Sequence, residues 1–264
     1  MAELKSKVKE IKEKLLSKTE KEASPAQSSS DEYITLQLHE LLTPAFILLS
    51  GMLISFTIFF SIKAIFAPDV LGAKTNAQFA KATTNIDDDP ILGNKKKAKL
   101  AIVEFSDFEC PYCHKHFNES HAKLLEKYIK TNKVFFVYRD LPLTSHPLAQ
   151  PAALAGNCVR AQKGDEGFYK YHDLVFSESL ASEEQISNYA KKAGVNMDKY
   201  NDCMESEKYA KEIQNDIEDA NSAGIGATPS FIIGELQKDG TVEGVRVPGA
   251  YPYNELEALI DSML

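Results

Sequence analysis

The sequence predicts an α/β domain, a sheet between layers of helix with a helical block inserted, carried behind one membrane-spanning helix. Three observations predict it. From residue 98 onward, short apolar, β-branched runs alternate with helical stretches. A helical stretch at 147–221 separates the first two strands from the last two. Ahead of them, Leu41 to Ile62 carries no charge for 22 residues. As a helix that run is about 33 Å long, enough for a hydrocarbon core of about 30 Å.

Residues 1–40 read as a polar N-terminal tail. Leu4, Val8, Ile11 and Leu15 draw one apolar stripe along its Lys/Glu-rich start, a frayed helix or a weak partner helix. "ASPAQSSSD" (23–31) reads as a flexible linker. Residues 41–66 read as an uncleaved transmembrane anchor: the apolar run is too long and too far in for a signal peptide, and no small-x-small site follows. Lysines do not orient it, with seven in residues 1–40 and seven in 63–102. Residues 67–97 read as a tether, with Asp87 to Asp89 a solvated turn before Pro90 or, less well supported, a cation site.

The domain itself is expected over 98–264. "KLAIVEF" (99–105) is a strand. A helix follows, with Cys113, Phe117, Leu124 and Tyr128 on one stripe. "KVFFVYR" (133–139) is a second buried strand. After the helical block, "SFIIGE" (230–235) and "VEGVRV" (242–247) form a hairpin around Asp239-Gly240, and a helix from Tyr253 to Met263 ends the chain.

A net charge of −8 argues against nucleic acid as a partner, since phosphate binding needs a basic face. Four cysteines are too few for a disulfide scaffold, yet they fall into a close pair, Cys110 and Cys113, and a distant pair, Cys158 and Cys203. The close pair lies where a strand gives way to a helix starting at Pro111, so Cys110 sits at a helix N-terminus. Free N–H groups and the helix dipole stabilise a thiolate there. Cys113, one turn further, is expected to be buried and to titrate high. One exposed, acidic thiol and one sheltered thiol make a nucleophile and a resolving partner. Glu104 stands inside an apolar strand, where a carboxylate is costly without a task, and is read as a proton relay for Cys113; the bland alternative is an edge glutamate facing water.

Two rival readings use the same letters. "CPYCH" matches the haem-attachment pattern, but His114 precedes Lys115 and His116 on what reads as a solvated helix face, and no apolar haem pocket is signalled. A zinc site needs a second close pair, and Cys158 and Cys203 are too far apart in sequence to supply it. No metal or cofactor is expected. The distant pair reads better as a structural disulfide than as two buried free thiols. In "GIGATPSF" (224–231), Thr228-Pro229 is a candidate cis-proline that could face the cysteines and pair with an extended substrate chain.

Together, "VEFSDFECPYC", the helical block with its own cysteines, "GIGATPSFIIG" and "VRVPGAYPYNEL" resemble the DsbA-like thiol:disulfide oxidoreductases of the thioredoxin superfamily, over about residues 86–264. The resemblance implies a thioredoxin-like fold with a four-stranded central sheet and a helical insertion. It implies Cys110 as the attacking cysteine, Cys113 as the resolving one, Glu104 as the buried acid, and Thr228-Pro229 as the cis-proline loop. Pro111 and Tyr112 would face substrate. One departure is Pro-Tyr between the cysteines where the strongest oxidases carry Pro-His, so Tyr112 offers the thiolate no cationic ring. His146-Pro147 also falls where such proteins carry a similar stretch, without an assigned role. The expected function is an enzyme introducing disulfides into reduced or misoxidised exported proteins, re-oxidised by a quinone-linked membrane partner. That places the catalytic domain on the extracytoplasmic side of the cell membrane. A membrane-anchored reductase or isomerase is the alternative, and a non-enzymatic anchored binding module the third reading.

Overall fold

The structure is a computed structural model and describes residues 79–264. The expected polar tail, the expected membrane anchor at 41–66 and residues 67–78 of the expected tether lie outside the described residues. Among the described residues no helix is long and apolar enough to cross a membrane.

The described residues form a six-stranded sheet in the order β1-β6-β5-β3-β4-β2. Its centre is β3 (Leu100–Ser106) and β4 (Val134–Asp140), which run parallel and are buried along their whole length. Near-continuous apolar strands of this kind suit a sheet covered on both faces. The connection between them is α1. It starts as Pro111–His116 and runs on through two π-helical turns, Phe117–His121 and Leu125–Ile129, either side of Ala122–Leu124. The expected stripe is there, with Cys113, Leu124 and Tyr128 buried and Phe117 packed against the same core. β5 (Ser230–Leu236) lies antiparallel to β3, and β6 (Thr241–Pro248) antiparallel to β5 through the Asp239-Gly240 turn, where Gly240 has φ +93°. At the facing pair Gly234 and Gly244, a Cβ on either residue would lie within about 2 Å of the other strand's backbone, so the hairpin closes only with glycine there.

Two strands fall where a tether was expected. β1 (Lys81–Asn85) pairs antiparallel with β6, and β2 (Ile91–Leu92) with β4, so the sheet has six strands rather than four and the folded domain begins before residue 98. The Asp87–Asp89 turn is not wholly solvated either. Asp89 is buried against Arg139 of β4, its Oδ1 3.2 Å from Nε. The same fully buried guanidinium meets Asp216 at 2.5 Å and Asp219 at 2.8 Å. One cation thus ties the segment before β2 to the helix carrying Asp216.

The insertion is four helices: α2 (Ala149–Glu178), α3 (Glu183–Ala193), α4 (Met197–Glu205) and α5 (Ala210–Ser222). α2 kinks at Gly164, whose φ of +67° leaves the helical region. Ser182 and Asn196 cap the next two helices by accepting from the N–H groups of Gln185 and Lys199. Cys158, sealed inside α2, is bonded to Cys203 of α4 across a Cα separation of 6.0 Å. α6 (Tyr253–Met263) closes the chain. One core lies under α1, α2 and α6; the other holds Val103, Phe105, Val137 and Ile225 on the opposite face of the sheet.

Candidate active site

The site is built where β3 ends. Side chains alternate along a strand, so Glu104 and Ser106 share the face toward α1. The chain then turns at Asp107, whose carboxylate is fully buried. Its Oδ1 accepts from the Glu109 N–H at 2.8 Å, and its carbonyl accepts from the Cys110 N–H at 3.1 Å. Its Oδ2 accepts from the Leu143 N–H at 2.9 Å and meets His146 Nδ1 at 2.7 Å. That bond, the largest influence, raises His146 above its ordinary range. A second tie runs from the Leu148 N–H to Glu109 Oε2 at 2.6 Å. The turn feeding Cys110 is thereby pinned to the loop after β4.

Cys110 is the N-cap of α1, with extended φ and ψ of −70° and 121°, and Pro111 takes the first helical position. Cys110 and Cys113 are both free thiols. Cys110 is not exposed as expected: it is only 3% accessible. The cover is the segment before β5, where the Thr228-Pro229 peptide is cis and the Thr228 carbonyl accepts from Cys110 Sγ at 3.4 Å. The exposed group beside it is Tyr112, at 64%.

The two thiols are driven apart. Cys110 is pulled down to about 5, chiefly by the hydrogen bond of the Cys113 side chain to its thiolate. The Thr228 side chain and the N–H groups of Cys113 and Tyr112 help, and burial opposes. The Thr228 hydroxyl is buried and has no hydrogen-bond partner among the described residues. Cys113 is pushed well above the ordinary cysteine range, first by burial and then by its hydrogen bond to Cys110 and by the Glu104 charge.

Glu104 lies inside the protein, 3% exposed, not at an edge facing water. Burial lifts it to about 8, against the lowering effect of the 2.8 Å hydrogen bond that Ser106 Oγ donates to its Oε1. Its Oε2 stands 3.8 Å from His116 Nε2. His116 is 2% exposed rather than on a solvated face, and neither of its ring nitrogens has a hydrogen-bond partner among the described residues. Burial, followed by the charges of His121 and His172, lowers it to about 3. His114 is half-buried, its ring nitrogens 3.0 Å from the Phe176 carbonyl and 3.1 Å from the Phe108 carbonyl.

The structure therefore brings Cys110, Cys113, Glu104, Pro111, Tyr112, Thr228 and Pro229 to one end of the sheet, and holds Cys158 and Cys203 apart in the insertion. Ser106, Asp107 and His116 are additional residues of this region, and His146, named from the sequence without a role, joins it through Asp107. The signal for Ser106 was its spacing of two from Glu104.

A family model described as thioredoxin matches residues 85–261. The Na(+)/H(+) antiporter NhaA 1 of Salinispora arenicola is 29% identical over 67% of this chain and 25% of its own length. A Rickettsia felis protein with "protein-disulfide oxidoreductase" in its name is 28% identical over 70% of this chain and 63% of its own. The chain thus spans about a quarter of the antiporter's length and under two thirds of the Rickettsia protein's. In fold it resembles oxidised BdbD from Bacillus subtilis, with a TM-score of 0.60 at 19% identity, covering 69% of this chain and 96% of that one.

Proposed function

We propose, for a chain that belongs to the thioredoxin family and has its DsbA-like form, that it introduces disulfide bonds into exported proteins by dithiol-disulfide exchange at Cys110 and Cys113. The observation that carries this reading is the asymmetry of the two thiols, one drawn down to about 5 and its neighbour held up. A Cys110 thiolate that persists at neutral pH stabilises the reduced protein, so its disulfide is the stronger oxidant.

In the oxidising direction, a substrate thiolate attacks Cys110 Sγ of the Cys110–Cys113 disulfide. That bond breaks, its electron pair stays on Cys113, and Cys113 takes up a proton. Burial makes a bare Cys113 thiolate costly, and Glu104, largely protonated at neutral pH, is the acid at hand. The substrate's second thiolate then attacks the substrate sulfur of the mixed disulfide, and Cys110 leaves as a stable thiolate. The Thr228-Pro229 segment and the exposed Tyr112 flank the sulfur that the substrate must reach. A quinone-linked membrane partner would re-oxidise the dithiol.

The Cys158–Cys203 disulfide fits a compartment where disulfides persist. With the apolar run at 41–62, it supports a single-pass anchor with the catalytic domain outside the cytoplasm. Oxidative refolding of a reduced, disulfide-requiring protein tests the reading. The full chain should accelerate it, and Cys110→Ala should abolish the effect. Faster insulin reduction without accelerated oxidation would assign the chain to the reductases, and an unaffected Cys110→Ala would leave only a binding module.

A further inference from the structure

Cys113 must give up and take back a proton in every cycle, yet it is sealed from solvent at 1% exposure. Glu104, the acid for that proton, is sealed as well. Beside Glu104 stands a side chain that the exchange chemistry alone does not call for. Ser106 is two residues beyond Glu104 on β3, on the same face, and 1% exposed. Its hydroxyl donates to Glu104 Oε1 at 2.8 Å. Its hydrogen bonding also draws the Cys113 thiol down, against the burial that lifts it. A hydroxyl accepts and donates at once, so it can pass a proton without holding a charge.

The geometry points to Ser106 as a catalytic residue whose hydroxyl conducts the proton between Cys113 Sγ and Glu104 Oε1. This rests on the proposed exchange chemistry. When a substrate thiolate forms its bond to Cys110 Sγ, the Cys110–Cys113 bond breaks and its electron pair stays on Cys113 Sγ. The Ser106 hydroxyl proton moves to that sulfur, and the carboxylic proton of Glu104 moves to Ser106 Oγ. Glu104 is left as a carboxylate and Ser106 unchanged. When the disulfide closes again, the protons run backward: Cys113 yields its proton to Ser106 Oγ, Ser106 passes its own to Glu104, and the Cys113 thiolate attacks the mixed disulfide at Cys110. The leaving thiolate carries away the electron pair. No oxidant is needed beyond the disulfide being exchanged.

A merely structural serine would satisfy the buried carboxyl and leave the sulfur chemistry untouched. The two roles separate in a two-step assay on the reduced full chain with an aromatic disulfide reagent that releases a coloured thiolate. The first release reads attack by Cys110, and the second reads attack by Cys113 on the resulting mixed disulfide. In Ser106→Ala the first phase should stay within about twofold of the unaltered chain, while the second slows about ten- to a hundredfold at neutral pH. Ser106→Thr, which keeps the hydroxyl, should restore the second phase. Ser106→Ala combined with Glu104→Gln should be no slower than Glu104→Gln alone, as for residues acting in one chain. A second phase unchanged in Ser106→Ala, or an additive double variant, overturns the relay. If Ser106→Ala does not fold, the solvent deuterium effect on the unaltered chain decides: larger on the second phase than on the first supports the relay, and equal effects overturn it. A first phase no faster than that of free cysteine overturns the exchange reading itself.

Discussion

Replacing Glu104 by glutamine should make the protein more stable at neutral pH while impairing its chemistry. The carboxyl is held near 8 by burial, against about 4.3 in an unfolded chain. Between those values the folded state keeps a proton that the unfolded state releases. Below about 4 both states are protonated and Glu104 costs nothing; as pH rises the penalty grows, and it levels off above about 8. At pH 7 it amounts to about 3–4 kcal/mol, a large share of a typical domain's 5–15 kcal/mol. Glutamine carries no titrating proton, and its carbonyl can still accept from Ser106. Urea unfolding of the disulfide form, in which neither active-site thiol titrates, should show stability falling from pH 4 to pH 8 in the unaltered chain. In Glu104→Gln that slope should flatten and the midpoint rise at pH 7. A stability difference between the two chains that stays constant across that range, or a Glu104→Gln variant less stable at pH 7, would refute the account of a buried, neutral carboxyl.

Other consequences are equally open to measurement. Alkylation rate against pH should give Cys110 a midpoint near 5. Cys113→Ala, which removes the largest lowering influence, should move it upward. The lowered thiol adds stability to the reduced form relative to the disulfide form as pH rises from about 5 to about 8.5, and the difference is lost again below about 5. Removing the disulfide as Cys158→Ala/Cys203→Ala opens a loop with a sequence separation of 45 and should cost about 4 kcal/mol in chemical denaturation, with exchange activity retained under conditions where the variant stays folded. Arg139→Met leaves Asp89, Asp216 and Asp219 without their shared cation and should cost about 3–5 kcal/mol, read as a lower thermal midpoint.

The parts legible in the sequence are those whose cause is local. "KLAIVEF" and "KVFFVYR" are apolar enough to need cover on both faces, and Asp239-Gly240 marks its own turn. Glu104 could be singled out because a carboxylate in such a strand is conspicuous. β1 and β2 were not legible: "KATTN" and a two-residue "IL" become strands through their partners β6 and β4. The sealing of Cys110 was hidden for the same reason, because Thr228 lies 118 residues away in sequence. His116 was misread although it lies three residues beyond Cys113, a spacing that puts both on the buried face of an ordinary helix.

The π-helical turns of α1 bear on how such a chain tolerates change in length. An i→i+5 turn holds one residue more than an α turn between the same two ends. Losing a residue inside Phe117–His121 could therefore heal the helix to ordinary winding, with Cys113 above and Leu124 below still turned to the same core. The stretch behind the reactive cysteines thus has slack in its spelling: related chains can differ there by one letter and still present their sulfurs in the same place.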